Sequence, residues 1–141
     1  MRPITYTLTS TIPAPIEQVF AALTDPNRMA QWLPAARAVE VTAPLHLGSR
    51  FRVLFDSRDS EVEVVDFNPN TVFGWVERVG RRQWKTYFRL DFAGASTQLT
   101  VQQVWVPPSP WAWLKVRLRP SRNVPARLDT MVQNLRTVLA R

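Results

Sequence analysis

The chain has 141 residues, 45% hydrophobic and 21% charged, with a net charge of +7 and no cysteine. That balance fits one folded domain with a sizeable core, and the missing cysteines exclude disulfides and thiol catalysis. The single histidine, His46, excludes a multi-histidine metal site and leaves little for a histidine-based triad, and no apolar run approaches the ~20 residues that span a bilayer.

Residues 4–12 largely alternate apolar and polar and are rich in β-branched side chains, which predicts a half-buried strand with Ile4, Tyr6, Leu8 and Ile12 inward. Pro15 then opens a helix whose apolar face is Ile16, Val19, Phe20 and Leu23, at i, i+3, i+4 and i+7. Asp25 before Pro26 reads as an N-cap and a first-turn proline, so a second helix starts there. Met29, Trp32 and Leu33 form its apolar face, and Pro34 stops it. Residues 38–42 predict a short strand, and residues 43–49 a turn pivoting on Gly48.

Five strands with readable alternation follow, over residues 50–56, 59–67, 71–79, 83–92 and 97–106, with breaks that include Asn68-Pro69-Asn70, Gly80-Arg81-Arg82 and Ala93-Gly94-Ala95-Ser96. Their predicted inward faces are Phe51, Val53 and Phe55; Val62 and Val64; Phe73, Trp75, Glu77 and Val79; Trp84, Thr86, Phe88, Leu90 and Phe92; and Leu99, Val101, Gln103 and Trp105. The outward faces mix Arg and Lys with Glu and Asp, which can pair across strands. This is the pattern of an antiparallel sheet with one dry face and one wet face. Prolines at 107, 108 and 110 end the sheet. Residues 111–119 fit either a short helix or a strand, closed by Pro120. From Pro125, the spacing of Leu128, Met131, Val132, Leu135, Val138 and Leu139 predicts an amphipathic helix of about four turns.

The run Ile12-Pro13-Ala14-Pro15, then Val19-Phe20-Ala21-Ala22-Leu23-Thr24-Asp25-Pro26, then Trp32, resembles the START-like superfamily, also called SRPBCC or polyketide cyclase/dehydrase-like. The order of the later elements resembles that group over nearly the whole chain. The resemblance implies a single α+β domain over residues 1–141 with a helix-grip fold. In such a fold a curved antiparallel sheet of six to seven strands wraps around a C-terminal helix, with two short helices after the first strand and a hydrophobic cavity between sheet and helix. It implies no single chemistry, since relatives include cyclases and binders of lipids or hormones. Pro120 and Pro125 depart from the family's one long helix, and predict a helix that is shortened or divided.

With that cavity in view, the candidate ligand-binding residues are Trp32, Phe51, Phe55, Phe73, Trp75, Glu77, Trp84, Phe88, Gln103, Trp105, Met131 and Leu135. The rings either fill the core or line a cavity. The inward polar residues are more informative, because burying them without partners is unfavourable. Glu77 reads either as a general base or hydrogen-bond acceptor, or as a carboxylate paired with Arg78, Arg81 or Arg82. Gln103 reads as a ligand contact or as a satisfied core amide. No phosphate-binding glycine loop, nucleophile motif or usefully spaced carboxylate pair is present, so no catalytic residue is assigned, and neither a metal nor a cofactor is expected.

Three functions compete. The first is binding of a small hydrophobic or aromatic ligand in the cavity. The second is a cyclase/dehydrase-like enzyme moving protons with Glu77, His46 or Tyr6. The third is a peripheral membrane or lipid-transfer role. The third rests on Trp111, Trp113, Leu114 and Leu118 beside Lys115, Arg117, Arg119 and Arg122, which read either as an interfacial anchor or as a helix packed on the sheet edge. Across residues 107–141, Lys115, Arg117, Arg119, Arg122, Arg127, Arg136 and Arg141 face Asp129 alone. That segment therefore holds +6 of the total +7 and leaves +1 for residues 1–106. It is a candidate for contact with anionic surfaces, or simply a solvated helix face; no sequence-specific nucleic-acid partner is expected. The N-terminal residues lack the apolar core of a signal peptide, which makes the cytoplasm the expected location.

Overall fold

The computed structural model describes residues 3–41, 44–79, 82–107, 109–118 and 123–140. The first strand, β1 (Ile4–Ile12), leads through Pro13-Ala14-Pro15 into α1 (Ile16–Thr24) and α2 (Pro26–Trp32). Pro15 is the residue before α1, and α2 starts as its sequence demands: Asn27 N donates to Asp25 Oδ1 at 2.9 Å, with Pro26 in the first turn. The strands β2 (Ala36–Glu40), β3 (Arg50–Phe55), β4 (Asp59–Asn68), β5 (Val72–Val79), β6 (Arg82–Ala93) and β7 (Ser96–Val106) follow. Two helices close the chain, α3 (Pro110–Leu118) and α4 (Asn123–Leu139).

The seven strands form one antiparallel sheet in the order β1-β7-β6-β5-β4-β3-β2. Consecutive strands from β2 to β7 pair as hairpins, and β1 returns along β7, so only β1 and β2 are edges. Period-two alternation fixes the inner face: Phe51, Val53 and Phe55 on β3, Phe73 and Trp75 on β5, Phe88 and Leu90 on β6, and Leu99 and Val101 on β7 are all buried. The curved sheet and C-terminal helix make the α+β helix-grip arrangement. α1 lies over β5, β6 and β7, α2 lies against β2, and α4 packs on α2, α1 and β1. Arg136 of α4 secures the β1 contact by donating from Nη2 to Ser10 Oγ and, at 2.8 Å, to Thr11 O.

Several expectations are corrected. The strand expected at 38–42 lies at Ala36–Glu40, and Thr42 is outside the described residues. A bulge between Val64 and Asp66 shifts the alternation of β4, so Phe67 turns inward and packs on the core. Phe92 shares the inward parity of Leu90 but is 75% exposed, because it sits at the end of β6, two residues before the Gly94 turn. Residues 110–118 form a helix, which settles the helix-or-strand alternative; the expected stop at Pro120 lies outside the described residues, as do Gly80 and Arg81 of the expected break after β5. Arg82, read as part of that break, starts β6. Pro125 does not break α4 but stands in its first turn, where a missing N–H loses nothing.

Two glycines are fixed by geometry. Gly48 has φ +88°, the left-handed region that a turn pivot needs. Gly74 on β5 faces Tyr87 on β6, and a Cβ there would meet Tyr87 Cδ1 at 2.5 Å, so the ring lies where a side chain would be.

The buried stripe of α4 is Leu128, Met131, Val132, Leu135 and Val138. Leu135 is 1% exposed. Leu135→Asp should therefore bury an unpaired charge and lower stability by about 3–5 kcal/mol. A thermal melt should show a drop on the order of 10 °C; a midpoint within about a degree of the parent would show α4 to be peripheral.

Candidate functional site

The inner face divides into two zones that differ in chemistry. The first is a closed cluster of rings. Trp32 of α2 contacts Trp75 at 6.1 Å and Phe88 at 5.5 Å between centroids, and Phe73 contacts Trp75 at 5.5 Å. Phe88 in turn meets Trp75 at 5.2 Å, and Phe73 meets Phe67 at 6.0 Å, which joins Phe20 of α1 at 5.4 Å. Trp32, Phe73, Trp75 and Phe88 are each at most 1% exposed. These four were candidate ligand contacts; the structure brings them together in mutual contact, packed as core. Phe51, Met131 and Leu135 are likewise buried in that core.

The second zone is a pair of cross-strand rows further along the same face. Register places Val62, Glu77, Trp84, Trp105 and Ile4 opposite one another across β4, β5, β6, β7 and β1. The next row runs Val64, Trp75, Thr86, Gln103 and Tyr6. Glu77, Thr86 and Gln103 thus converge, as alternation predicts, and all three are buried. Trp84, Trp105 and Tyr6 are half-buried beside them.

Glu77 is held by one hydrogen bond and one ion pair. Trp75 Nε1 donates to its Oε1 at 3.0 Å, and Arg58 Nη2 lies 3.6 Å from its Oε2. The Arg58 guanidinium lies over the Phe55 ring at 4.8 Å and the Trp84 ring at 5.5 Å from their centroids, so it is fixed by two faces as well as by a charge. The expected partners of Glu77 are corrected accordingly: Arg78 points to the outer face and donates to Glu63 at 3.2 Å, Arg82 is exposed, and Arg81 lies outside the described residues. Gln103 Nε2 donates to Thr86 Oγ1 at 3.4 Å, which leaves its amide with spare donor and acceptor capacity.

Among the described residues, three buried polar side-chain atoms here have no hydrogen-bond partner: Arg58 Nε, Ser60 Oγ and Trp105 Nε1. A buried donor left unmade costs about 1–3 kcal/mol, so each is a place where an incoming acceptor gains more than usual. Sequence reasoning missed Arg58 and Ser60. Ser60 shares the parity of Val62 and Val64 and was available from alternation. Arg58 sits in the β3–β4 turn, where no periodic signal exists. His46, offered as a proton carrier, is exposed in the β2–β3 connection with its Nδ1 donating to Leu47 O at 2.8 Å. Among the described residues no cluster of three His, Asp or Glu side chains is placed to hold a metal ion.

The comparisons with known proteins bear on this geometry. Residues 3–140 match the family model described as "Polyketide cyclase / dehydrase and lipid transport". No curated protein matches the chain. Among solved structures the chain is similar to protein CV1439 from Chromobacterium violaceum, at 17% identity over 97% of each chain with a TM-score of 0.73. It is also similar to the Zhui aromatase/cyclase from Streptomyces sp. R1128, at 16% identity over 99% of this chain and 95% of that one, TM-score 0.72. DynU16, from the dynemicin biosynthetic locus, is similar at 24% identity and TM-score 0.71, over 96% of this chain but 47% of its own length. At these identities the likeness is one of fold.

The Arg58–Glu77 contact can be tested on its own. In a double-mutant cycle with Arg58→Met and Glu77→Gln, the two changes should be non-additive by about 1–3 kcal/mol in urea unfolding, because each single variant strands a charge that the other neutralises. Additive effects would mean that solvent screens the pair.

Proposed function

The chain belongs to the polyketide cyclase/dehydrase and lipid-transport family, and from that premise we propose that it binds a small apolar or aromatic molecule carrying an oxygen acceptor. The carbon skeleton rests on Trp84 and Trp105, and the acceptor meets the Trp105 indole N–H. The observation that carries this reading is the buried Trp105 Nε1 without a partner, on a row that also holds Glu77 and next to Gln103. A mostly apolar surface with few convergent polar groups is the usual make-up of a small-molecule site. The reading favours this end of the sheet because Trp32, Phe73, Trp75 and Phe88 pack on one another over its centre. A ligand between Met131 and the row of Trp75, Trp84 and Trp105 would have to displace the packing around Trp75, whereas one resting on Trp84 and Trp105 would not.

A second reading is favoured by one specific observation. A proton-transferring carboxylate needs an orienting partner, and Glu77 has two, the Trp75 indole and the Arg58 guanidinium. In that reading Glu77 takes a proton from the bound molecule and Arg58 steadies the negative charge that results.

The test compares 2-naphthol with naphthalene, which share a skeleton and differ in the hydroxyl. Saturable quenching of tryptophan emission is expected with both, with 2-naphthol bound more tightly. The melting temperature should rise with ligand concentration by mass action. Trp105→Phe keeps an aromatic face, smaller than the indole, but removes the N–H, and should erase a preference of roughly 2- to 10-fold. A preference for 2-naphthol unchanged in Trp105→Phe would refute the hydrogen-bond handle, and no saturable response to either compound would refute the site.

A further inference from the structure

α3 presents an apolar face that no element among the described residues covers. Trp111, Leu114 and Leu118 recur at i, i+3 and i+7, on one side of the helix, and are 79%, 40% and 73% exposed. Lys115 falls on the same side and is exposed, while Ala112 and Trp113 on the other side are half-buried. Exposure of three large apolar side chains on a single short helix marks an interaction surface rather than scattered surface residues. The charge of the surrounding sequence narrows the partner: from Pro107 to Leu128 the chain carries Lys115, Arg117, Arg119, Arg122 and Arg127 and no acidic residue.

From this face we infer that α3 docks the protein on an anionic lipid surface, with Trp111, Leu114 and Leu118 in the headgroup–acyl boundary and Lys115 on the headgroups. Exposed Trp and Leu interleaved with a lysine on one side of a short helix offer both an apolar contact and a cation to a lipid surface. A tryptophan favours that depth because its ring is apolar and its N–H stays wet. A nucleic acid would use the cations but leave Leu114 and Leu118 in water, so the apolar trio argues against it. No helix among the described residues is long and apolar enough to cross a membrane, so the contact is one of lying on a surface. α3 begins shortly after Trp105, which would bring the end of β7 close to the lipid. The inference stands whether or not the ligand reading holds.

The experiment is co-sedimentation of the full chain with vesicles of phosphatidylcholine containing phosphatidylglycerol, against phosphatidylcholine alone. Partitioning onto the anionic vesicles should exceed that onto neutral ones at least tenfold at low salt and fall as salt rises, with a blue shift of tryptophan emission. Trp111→Ser combined with Leu118→Ser should abolish binding while the melting curve stays where it was, since both residues are exposed. Lys115→Ala should weaken binding about fivefold. Equal partitioning onto both vesicles, full binding by the Trp111→Ser/Leu118→Ser variant, or displacement from vesicles by a random-sequence DNA duplex would each overturn the proposal.

Discussion

The burial of Trp32 is the constraint on which the other elements depend. Its side chain is fully buried, and its indole N–H donates to Ala22 O at 3.2 Å, which ties α2 to α1. Its own carbonyl accepts from Asn134 Nδ2 at 3.4 Å, which ties α2 to α4. Its ring meets Trp75 on β5 and Phe88 on β6. One residue therefore joins three helices to the centre of the sheet. The hydrogen bond is what lets so large a polar-tipped ring be fully buried, since an unpaired indole N–H in that position would be penalised by 1–3 kcal/mol or so. The break at Asp25-Pro26 serves the same end: it turns the chain so that α2 can insert Trp32 beneath the sheet.

This anchoring divides the inner face. Around Trp32 the rings touch one another, and aromatic pairs at these distances add about 0.5–1.5 kcal/mol each beyond their buried area. Further along β5, β6 and β7, the side chains become polar without becoming exposed. Glu77, Thr86 and Gln103 are buried there, beside the partnerless Trp105 N–H and the guanidinium of Arg58. Part of a sheet that served stability alone would hold aliphatic residues at such positions, because replacing a buried polar set by apolar groups is often neutral or stabilising. In the binding reading proposed above, these groups meet a molecule with polar groups of its own.

The outer face follows other rules. Arg50 and Arg78 flank Glu63, and Arg89 sits near Asp91, all at 3.2–3.7 Å. Most of these side chains are open to solvent, so the pairs steady the sheet by little, about 0–1 kcal/mol each. Their effect is on solubility and edge behaviour. The cations of the C-terminal part differ in kind. Arg136 donates to Ser10 and Thr11 and is a structural clasp, whereas Lys115 stands exposed on the same side of α3 as Trp111.

The sequence by itself determined which residues share a face. β1 and the inward sets of β3, β5 and β7 follow from period-two alternation, and α1, α2 and the stripe of α4 from helical spacing with proline and aspartate punctuation. These signals are local and backbone-driven, so a single chain carries them in full. That Glu77, Thr86 and Gln103 lie inward was legible for the same reason. Only the tertiary structure decided what they meet. Glu77 pairs with Arg58 from a neighbouring turn, not with the arginines adjacent in sequence, because strand geometry sends Arg78 to the opposite face while the β3–β4 turn folds Arg58 over Phe55 and Trp84. The bulge at β4 that turns Phe67 inward, and the exposure of Phe92 despite its inward parity, depend on where the sheet bends and where its cover ends. Whether the inward rings enclose a guest or each other is likewise a matter of distances between side chains on different elements. Alternation has no access to those distances, and they depend on how far Trp32 reaches beneath the sheet.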